Sequence, residues 1–403
     1  MDMSTATEIL NKVLNLFKCT LIEGTPYLKY FQYIYIFLIG SISSLILTPI
    51  VGQIALKHDI TYKPGTKRNG KTFDNEEKAL HEGITPALGG LAITIPTLII
   101  ICLCFKLDSF TIPIILALLI LIVGSALDDI FNLPAKTQFL YQLISAIIIA
   151  FSVINLTNLS FGNTNLDIYT WNFSFLGIQQ SFVFPGDLFL IIWMIVCINA
   201  FKWTAGSPGI IEANSLIIFL LIFILGVRFN SLFASTISIF VVGGLLIFLI
   251  FAMPPQKIMT GSAGKSVYGF MICLLSIIAD AKFSTTVMLL IVPLIDFVYV
   301  IIKRYITYKP KNLMDLMKIN GPDHLQHQLI ALGVGRRNIV LLESGITLFL
   351  GSFAILSTGA MRYFALIFST SLALLLVVVM NILSSRKKKM EEKKKSPESK
   401  YSY

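Results

Sequence analysis

Long apolar segments separated by short polar ones follow one another along most of the chain. A helix needs roughly 20 apolar residues to cross the hydrocarbon core of a bilayer, so a window of about 19 residues finds candidate spans. Eleven segments qualify, at about 33–55, 88–106, 110–126, 139–155, 186–201, 213–227, 230–252, 266–280, 284–302, 339–358 and 361–383. The pattern predicts an all-α polytopic membrane protein with about eleven transmembrane helices.

The composition agrees with this fold class and excludes a soluble one. Of the 403 residues, 55% are apolar and only 13% are charged. Soluble globular domains carry roughly 25% charged residues and cannot hide this much apolar surface from water. The lipid bilayer is therefore the first predicted partner, and no nucleic-acid partner is predicted.

The distribution of basic residues predicts the orientation in the cell membrane. With eleven spans, 25 of the 32 lysines and arginines fall on one side. Cytoplasmic loops carry such an excess, so the N-terminus is expected outside and the C-terminus in the cytoplasm. Three regions follow: an N-terminal amphipathic segment at 1–28, a single transmembrane domain at 29–385 and a basic cytoplasmic tail at 386–403. The tail is expected to be disordered and attracted to anionic lipid.

The outer loop 156–185 differs from the other loops. It contains no Lys or Arg, and apolar and polar residues alternate in it between Asn and Gly residues. Alternation with a period of two is typical of a strand with one covered face. A small β-hairpin is therefore predicted on the outer face.

Two adjacent carboxylates mark the cytoplasmic end of the third span. Asp128 and Asp129 have no arginine nearby in the sequence, so they repel each other unless a cation or a proton intervenes. Mg²⁺ commonly binds one or two carboxylates together with phosphate oxygens, and Lys136 could pair with a diphosphate. A cation and phosphate site is one interpretation, and helix capping with interfacial solvation is the plainer one.

Two segments on the same predicted side, 199–210 and 259–266, combine glycine with lysine. Helix ends of this kind leave free backbone amides, which can bind phosphate. The second segment is not a nucleotide-binding P-loop, because that motif needs Gly at position 259, which is Met. The alternative is plain turns. The candidate residues are Asn199, Lys202, Gly206, Gly209, Gly264 and Lys265.

Further polar residues lie near the ninth span. Asp296 falls inside the span, where an ionisable side chain is a functional hypothesis by default, and Arg304 is its expected partner. His324 and His327 would be neighbours on one helix face and could bind a phosphate or a sugar. A zinc site would need more ligands than this region offers.

The order of these segments, over residues 30–385, resembles the polyprenyl-phosphate N-acetylhexosamine-1-phosphate transferases of glycosyl transferase family 4. The resemblance implies an eleven-span enzyme that moves a sugar-1-phosphate from a UDP-sugar to polyprenyl phosphate at the cytoplasmic face with Mg²⁺, and it is compatible with a homodimer. It implies catalytic roles for Asp128, Asp129, His324 and His327, with Asp128 and Asp129 also as metal ligands. The residues implied in substrate binding are Lys136, Asn199, Lys202, Gly206, Gly209, Gly264, Lys265, Asp296 and Arg304.

Three carboxylates of the family pattern are missing. Ala205, Pro208 and Ser262 stand in their places, while lysines appear at positions 202 and 265. A unit charge at about 6 Å contributes roughly 2.8 kcal/mol at an effective dielectric of 20, so the exchange disfavours Mg²⁺. We expect Mg²⁺ to bind only weakly, in the millimolar range or worse.

Two functions remain open on this basis. The protein is either a phosphoglycosyl transferase with altered chemistry or donor, or a non-catalytic member that binds polyprenyl phosphate or nucleotide sugar or partners an active paralogue. A transporter is disfavoured, because the sequence shows no internal repeat.

The orientation is testable by cysteine labelling. A cysteine introduced at position 165, in the predicted outer loop, should react with a membrane-impermeant thiol reagent applied from outside the cell. Reaction from the cytoplasmic side alone would contradict the orientation.

Overall fold

The computed structural model of the protein describes residues 26–62, 83–156, 160–161, 164–165, 169–175, 177–204, 206–279, 283–312, 315–316, 319, 321 and 323–395. The helices in these ranges are α1 Pro26–Lys57, α2 Leu91–Cys104, α3 Thr111–Phe131, α4 Ala135–Ala150, α5 Gly186–Thr204, α6 Ile210–Arg228, α7 Leu232–Ala252, α8 Gly261–Ile278, α9 Phe283–Leu289, α10 Ile291–Tyr308, α11 Leu325–Ala331, α12 Arg336–Leu356 and α13 Met361–Lys395. The strands are β1 Thr61–Tyr62, β2 Thr85–Pro86, β3 Ser160–Phe161, β4 Thr164–Asn165, β5 Tyr169–Phe175 and β6 Ile178–Phe184.

The helices confirm an all-α polytopic membrane protein. Each of the eleven apolar segments in the sequence overlaps a described helix. In the described part of the chain eight helices are long and apolar enough to cross a membrane, and α2 and α4 are shorter apolar helices. The remaining segment forms α9 and α10, which together pass the same test but are bent by 80°.

The predicted span at 284–302 therefore consists of two helices that are bent at Leu290 and is not one straight helix. Pro293 lies in the first turn of α10, three residues after the break. Its ring would clash with the carbonyl of Leu289 in a continuous helix, whereas the first turn of a new helix tolerates proline without loss of a hydrogen bond. The chain therefore ends one helix and starts another inside the segment.

The bundle has two ends. The site end carries the C-termini of α3 and α5 and the N-termini of α6 and α8, and the hairpin end carries β5 and β6. Helix α8 runs through the centre, since every residue in it except Lys265, Ile277 and Ile278 is buried. The outer helices α1 and α13 instead expose large apolar side chains along their length, as expected for helices that face lipid.

The predicted hairpin is present between α4 and α5. Strands β5 and β6 pair antiparallel from Tyr169–Phe184 to Phe175–Ile178. Asp187, fully buried at the start of α5, attaches the hairpin to the bundle by accepting hydrogen bonds from the amides of Val183 and Leu156 and from the Asn155 side chain.

The two chain ends lie partly outside the described residues. The predicted amphipathic segment 1–28 lies outside the described residues except for its last three. The tail, expected to be disordered from residue 386, instead continues α13 as a helix to Lys395. Residues 396–403 lie outside the described part.

Glycine allows α1 to approach α7 closely, and a matched pair of substitutions can test this. A Cβ added to Gly243 of α7 would lie 2.2 Å from the Phe37 carbonyl oxygen of α1, whereas a Cβ on Gly345 of α12 would meet nothing within 4 Å. Overpacking against backbone costs about 1–3 kcal/mol, while Gly to Ala in an open helix position gains about 0.5–1 kcal/mol. Gly243→Ala should therefore lower the midpoint of thermal unfolding in detergent, and Gly345→Ala should leave it unchanged or raise it. Equal effects of the two variants would contradict this packing.

Candidate functional site

Asp129 caps the N-terminus of α8. Its Oδ1 accepts a hydrogen bond from the Ser262 amide at 2.8 Å, and its Oδ2 accepts one from the Ala263 amide at 3.1 Å. Gly261 has a φ of +68°, and a Cβ there would lie 2.3 Å from Asp129 Oδ2. A glycine at this position therefore lets the carboxylate reach the free amides, where the helix dipole also favours a negative charge.

Asp128 lies beside Asp129 and is compensated by side chains from three segments. Its Oδ2 accepts a hydrogen bond from Ser262 Oγ at 2.6 Å and lies 3.4 Å from Lys202 Nζ. Its Oδ1 accepts hydrogen bonds from Gln138 Nε2 at 2.8 Å and from the Leu133 amide at 3.0 Å. Lys202 Nζ also donates to Gln138 Oε1 at 2.5 Å, which closes a ring of three polar side chains.

The segment before α2 fixes the start of α8. The amides of Gly89 and Gly90 donate to the carbonyls of Met259 and Thr260. A Cβ on Gly90 would lie 2.2 Å from the Gly264 amide nitrogen, so both glycines are needed for this close approach. Gly89 and Gly90 therefore allow the two segments to pack closely, and Gly264 lies in the same contact.

Lys265 faces a buried carboxylate on α6. Together with Glu212, Ser207, Pro208 and Thr260 it lines a small pocket at the site end. Glu212 accepts a hydrogen bond from Thr260 Oγ1. The lysine that replaces a family residue thus has an acidic neighbour within the chain.

A second polar group lies around α11. Asp296 Oδ2 is 2.7 Å from His324 Nδ1, and Asp296 Oδ1 accepts a hydrogen bond from the Leu325 amide at 2.8 Å. A Cβ on Gly206 would lie 2.2 Å from Gln326 Nε2 and 3.3 Å from His327 Nε2. The last turn of α5 and the loop after it therefore connect the two groups, because Lys202 of α5 contacts Asp128 and Gly206 of the loop lies against α11.

The expected pairing of Asp296 with Arg304 is wrong, because Arg304 has other partners. It lies 3.2 Å from Asp323, donates to the carbonyls of Ile319 and Gly321, and lies over the Trp203 ring. Burial of Asp323 opposes its ionisation, but the nearby Lys303 and Arg304 outweigh burial and hold the pKa of Asp323 below its usual value. Arg304 thus stabilises the loop before α11.

The remaining predicted residues lie at the edge of this arrangement. Lys136 is exposed at the start of α4, and no described contact brings it to Asp128. Asn199 donates to Gln142 and to the Ile195 carbonyl inside the bundle. Gly209 starts α6 with a φ of +81°. Ala205 lies outside the described residues.

Two residues at this site were not singled out in the sequence. Gln138 bridges Asp128 and Lys202. The sequence could have indicated it, because it lies one turn into α4 and close to Lys136. Ser262 was noted only as a missing carboxylate, although its hydroxyl and amide hold both aspartates.

The residues present do not fit a bound Mg²⁺. All four oxygens of Asp128 and Asp129 already accept hydrogen bonds from the protein, and an ammonium group lies 3.4 Å from one of them. In the described part of the chain no three His, Cys, Asp or Glu side chains are placed to hold a metal ion. A divalent cation would have to displace donors and approach Lys202.

Known proteins of one family are similar to this chain. The model of glycosyl transferase family 4 matches residues 110–280, which include α3 to α8. The chain is 27% identical over 315 residues to a "Probable undecaprenyl-phosphate N-acetylglucosaminyl 1-phosphate transferase" of Bacillus subtilis (strain 168), covering 76% of this chain and 79% of that protein. It is 26% identical over 245 residues to a "Phospho-N-acetylmuramoyl-pentapeptide-transferase" of Latilactobacillus sakei subsp. sakei (strain 23K), covering 58% and 72%. Together with the multi-pass helical bundle and the order of the polar segments within it, these matches support the resemblance of the chain to glycosyl transferase family 4.

Proposed function

We propose that this protein binds a phosphate-bearing substrate of its family, polyprenyl phosphate or a nucleotide sugar, at the site end of the bundle, and that it does not carry out Mg²⁺-dependent sugar-1-phosphate transfer. The site end is taken as the cytoplasmic end, in agreement with the distribution of basic residues. The observation that carries the proposal is the contact of Asp128 with both Ser262 and Lys202.

The negative charges of Asp128 and Asp129 are compensated within the protein. A buried carboxylate needs a compensating partner, which can be a metal ion or a protein cation. Here Lys202 provides one positive charge to Asp128, and the α8 amides provide two hydrogen bonds to Asp129. Because the protein satisfies both aspartates itself, a metal ion is not needed to keep the site folded.

Recognition of a phosphate remains compatible with this arrangement. The side chain of Lys202 is 16% exposed, so its ammonium group is partly reachable from the site end. A phosphate oxygen could share the ammonium with Asp128, since an ammonium carries three donors. Gly206, in the loop after α5, lies against His327, and these two residues could contact the rest of the ligand.

A second candidate function is metal-independent transfer. It is favoured by one observation, the retention of both aspartates next to a cation that could offset charge on a transferred phosphate. In this case activity would persist when divalent ions are removed, whereas the first proposal expects no activity in either condition.

A transfer assay separates these functions. We expect purified protein, given undecaprenyl phosphate and UDP-N-acetylglucosamine, to form no lipid-linked product with Mg²⁺ or with a chelator. Product that depends on Mg²⁺ would overturn the proposal, and product in the presence of chelator would establish the second candidate. Saturable binding of radiolabelled undecaprenyl phosphate or UDP-N-acetylglucosamine, weakened by Lys202→Ala, is expected in either case.

Calorimetry tests the loss of the metal site directly. The unmodified protein should bind Mg²⁺ in the millimolar range or worse. The combined variant Lys202→Asn, Ser262→Asp and Lys265→Ser removes two positive charges and adds a carboxylate, so its affinity should rise by about two or more decades. The control is Lys136→Asn, which removes an exposed lysine in the same region and should leave the weak binding unchanged. Micromolar binding by the unmodified protein would contradict the charge argument.

A further inference from the structure

A second polar group lies inside the bundle, apart from Asp128 and Asp129. Helices α5, α6, α10, α11 and α12 meet at a small cavity, roughly large enough for one water-sized particle. Its polar lining consists of Thr204, Asn214, Asp296, Gln326 and Glu343. Glu343 lies two turns, about 10 Å, into α12, where a carboxylate is expensive to bury.

Two of these side chains lack partners in the described part of the chain. Glu343 is 5% exposed, and its Oε1 accepts no hydrogen bond there. Gln326 is 2% exposed, and neither its amide oxygen nor its amide nitrogen has a partner there. Buried polar atoms without partners are rare in folded proteins, so the two acceptor oxygens, Glu343 Oε1 and Gln326 Oε1, point to a ligand in the cavity.

The other polar groups leave oxygen lone pairs free for such a ligand. Thr204 Oγ1 donates to carbonyls of its own helix, which does not use its lone pairs. Asn214 Oδ1 accepts one hydrogen bond, from Thr347, and can accept a second interaction. Both oxygens of Asp296 already have partners at the start of α11, His324 and the Leu325 amide, so Asp296 is not counted among the ligands.

We propose that this cavity binds a single Na⁺ ion through oxygens of Glu343, Gln326, Asn214 and Thr204. Hard cations bind carboxylate, amide and hydroxyl oxygens, and one carboxylate with an unpartnered oxygen, Glu343, matches a single positive charge. A divalent ion would leave an excess charge buried. A proton on Glu343 alone would neutralise the carboxylate but would leave the cavity without an occupant.

The ion would connect the cavity to the candidate site. Gln326 lies against Gly206, and the next residue, His327, lies against the same glycine. A cation held by Gln326 and Glu343 would therefore fix α11 to α12 and keep His327 against the loop after α5. This role is independent of whether the site transfers sugar phosphate.

Thermal unfolding of the full-length protein in detergent tests the Na⁺ site. NaCl is increased while choline chloride is reduced, so that ionic strength stays constant. A ligand bound only by the folded state stabilises by mass action, so the midpoint should rise saturably by about 3–5 °C with NaCl. An equal midpoint in choline chloride and NaCl would overturn the proposal.

Variants test which side chains cause the Na⁺-dependent rise in the unfolding midpoint. Glu343→Gln should abolish the Na⁺-dependent rise, and Gln326→Met, which keeps the side-chain length, should raise the Na⁺ concentration needed by about tenfold or more. The control is Asp187→Asn, which alters a buried carboxylate at the opposite end of α5 and should keep the rise even if its midpoint is lower. If Glu343→Gln does not fold, Gln326→Met decides alone. A full rise at unchanged Na⁺ concentration in Glu343→Gln or Gln326→Met would refute the assignment.

Discussion

Two adjacent carboxylates that are buried at one end of a membrane bundle must find positive partners, and most of the site's geometry follows from this constraint. Asp128 and Asp129 are 3% and 1% exposed, so water cannot solvate them. Asp129 is satisfied by the amides that start α8, and Asp128 by Ser262, Lys202 and Gln138. These contacts join α3, α4, α5 and α8 at one point.

Ser262 and Lys202 compensate Asp128 together. With Ser262 and Lys202, the hydroxyl and the ammonium supply the missing donors to Asp128. Lys265 follows the same principle, since it lines a pocket with buried Glu212. In each of these contacts a buried carboxylate has a partner that the chain itself supplies.

The sequence predicted the spans because their signal is local, and the family resemblance named Asp128 and Lys202 among the residues of one site. It did not predict the bend at α9 and α10, although Pro293 was visible, since a proline in an apolar segment is compatible with a kinked continuous helix. The pairing of Arg304 was also wrong. Arg304 contacts Asp323, 19 residues away, through a loop whose path has no signal in hydrophobic pattern. Gln326 and Glu343 were missed because one amide and one carboxylate on separate helices form no sequence motif.

Glu343 differs from the buried aspartates of the bundle in its hydrogen bonding. Asp187 at the hairpin end accepts hydrogen bonds from two amides and one side chain, Asp296 is held by His324 and an amide, and Asp323 lies between Lys303 and Arg304. In each case, as at Asp128 and Asp129, the chain itself supplies the compensation. Glu343 departs from this pattern within the described residues, since its Oε1 faces a cavity and has no donor. A bundle that compensates its buried aspartates so completely would lose stability if Glu343 stayed uncompensated. An occupant of the cavity restores the pattern.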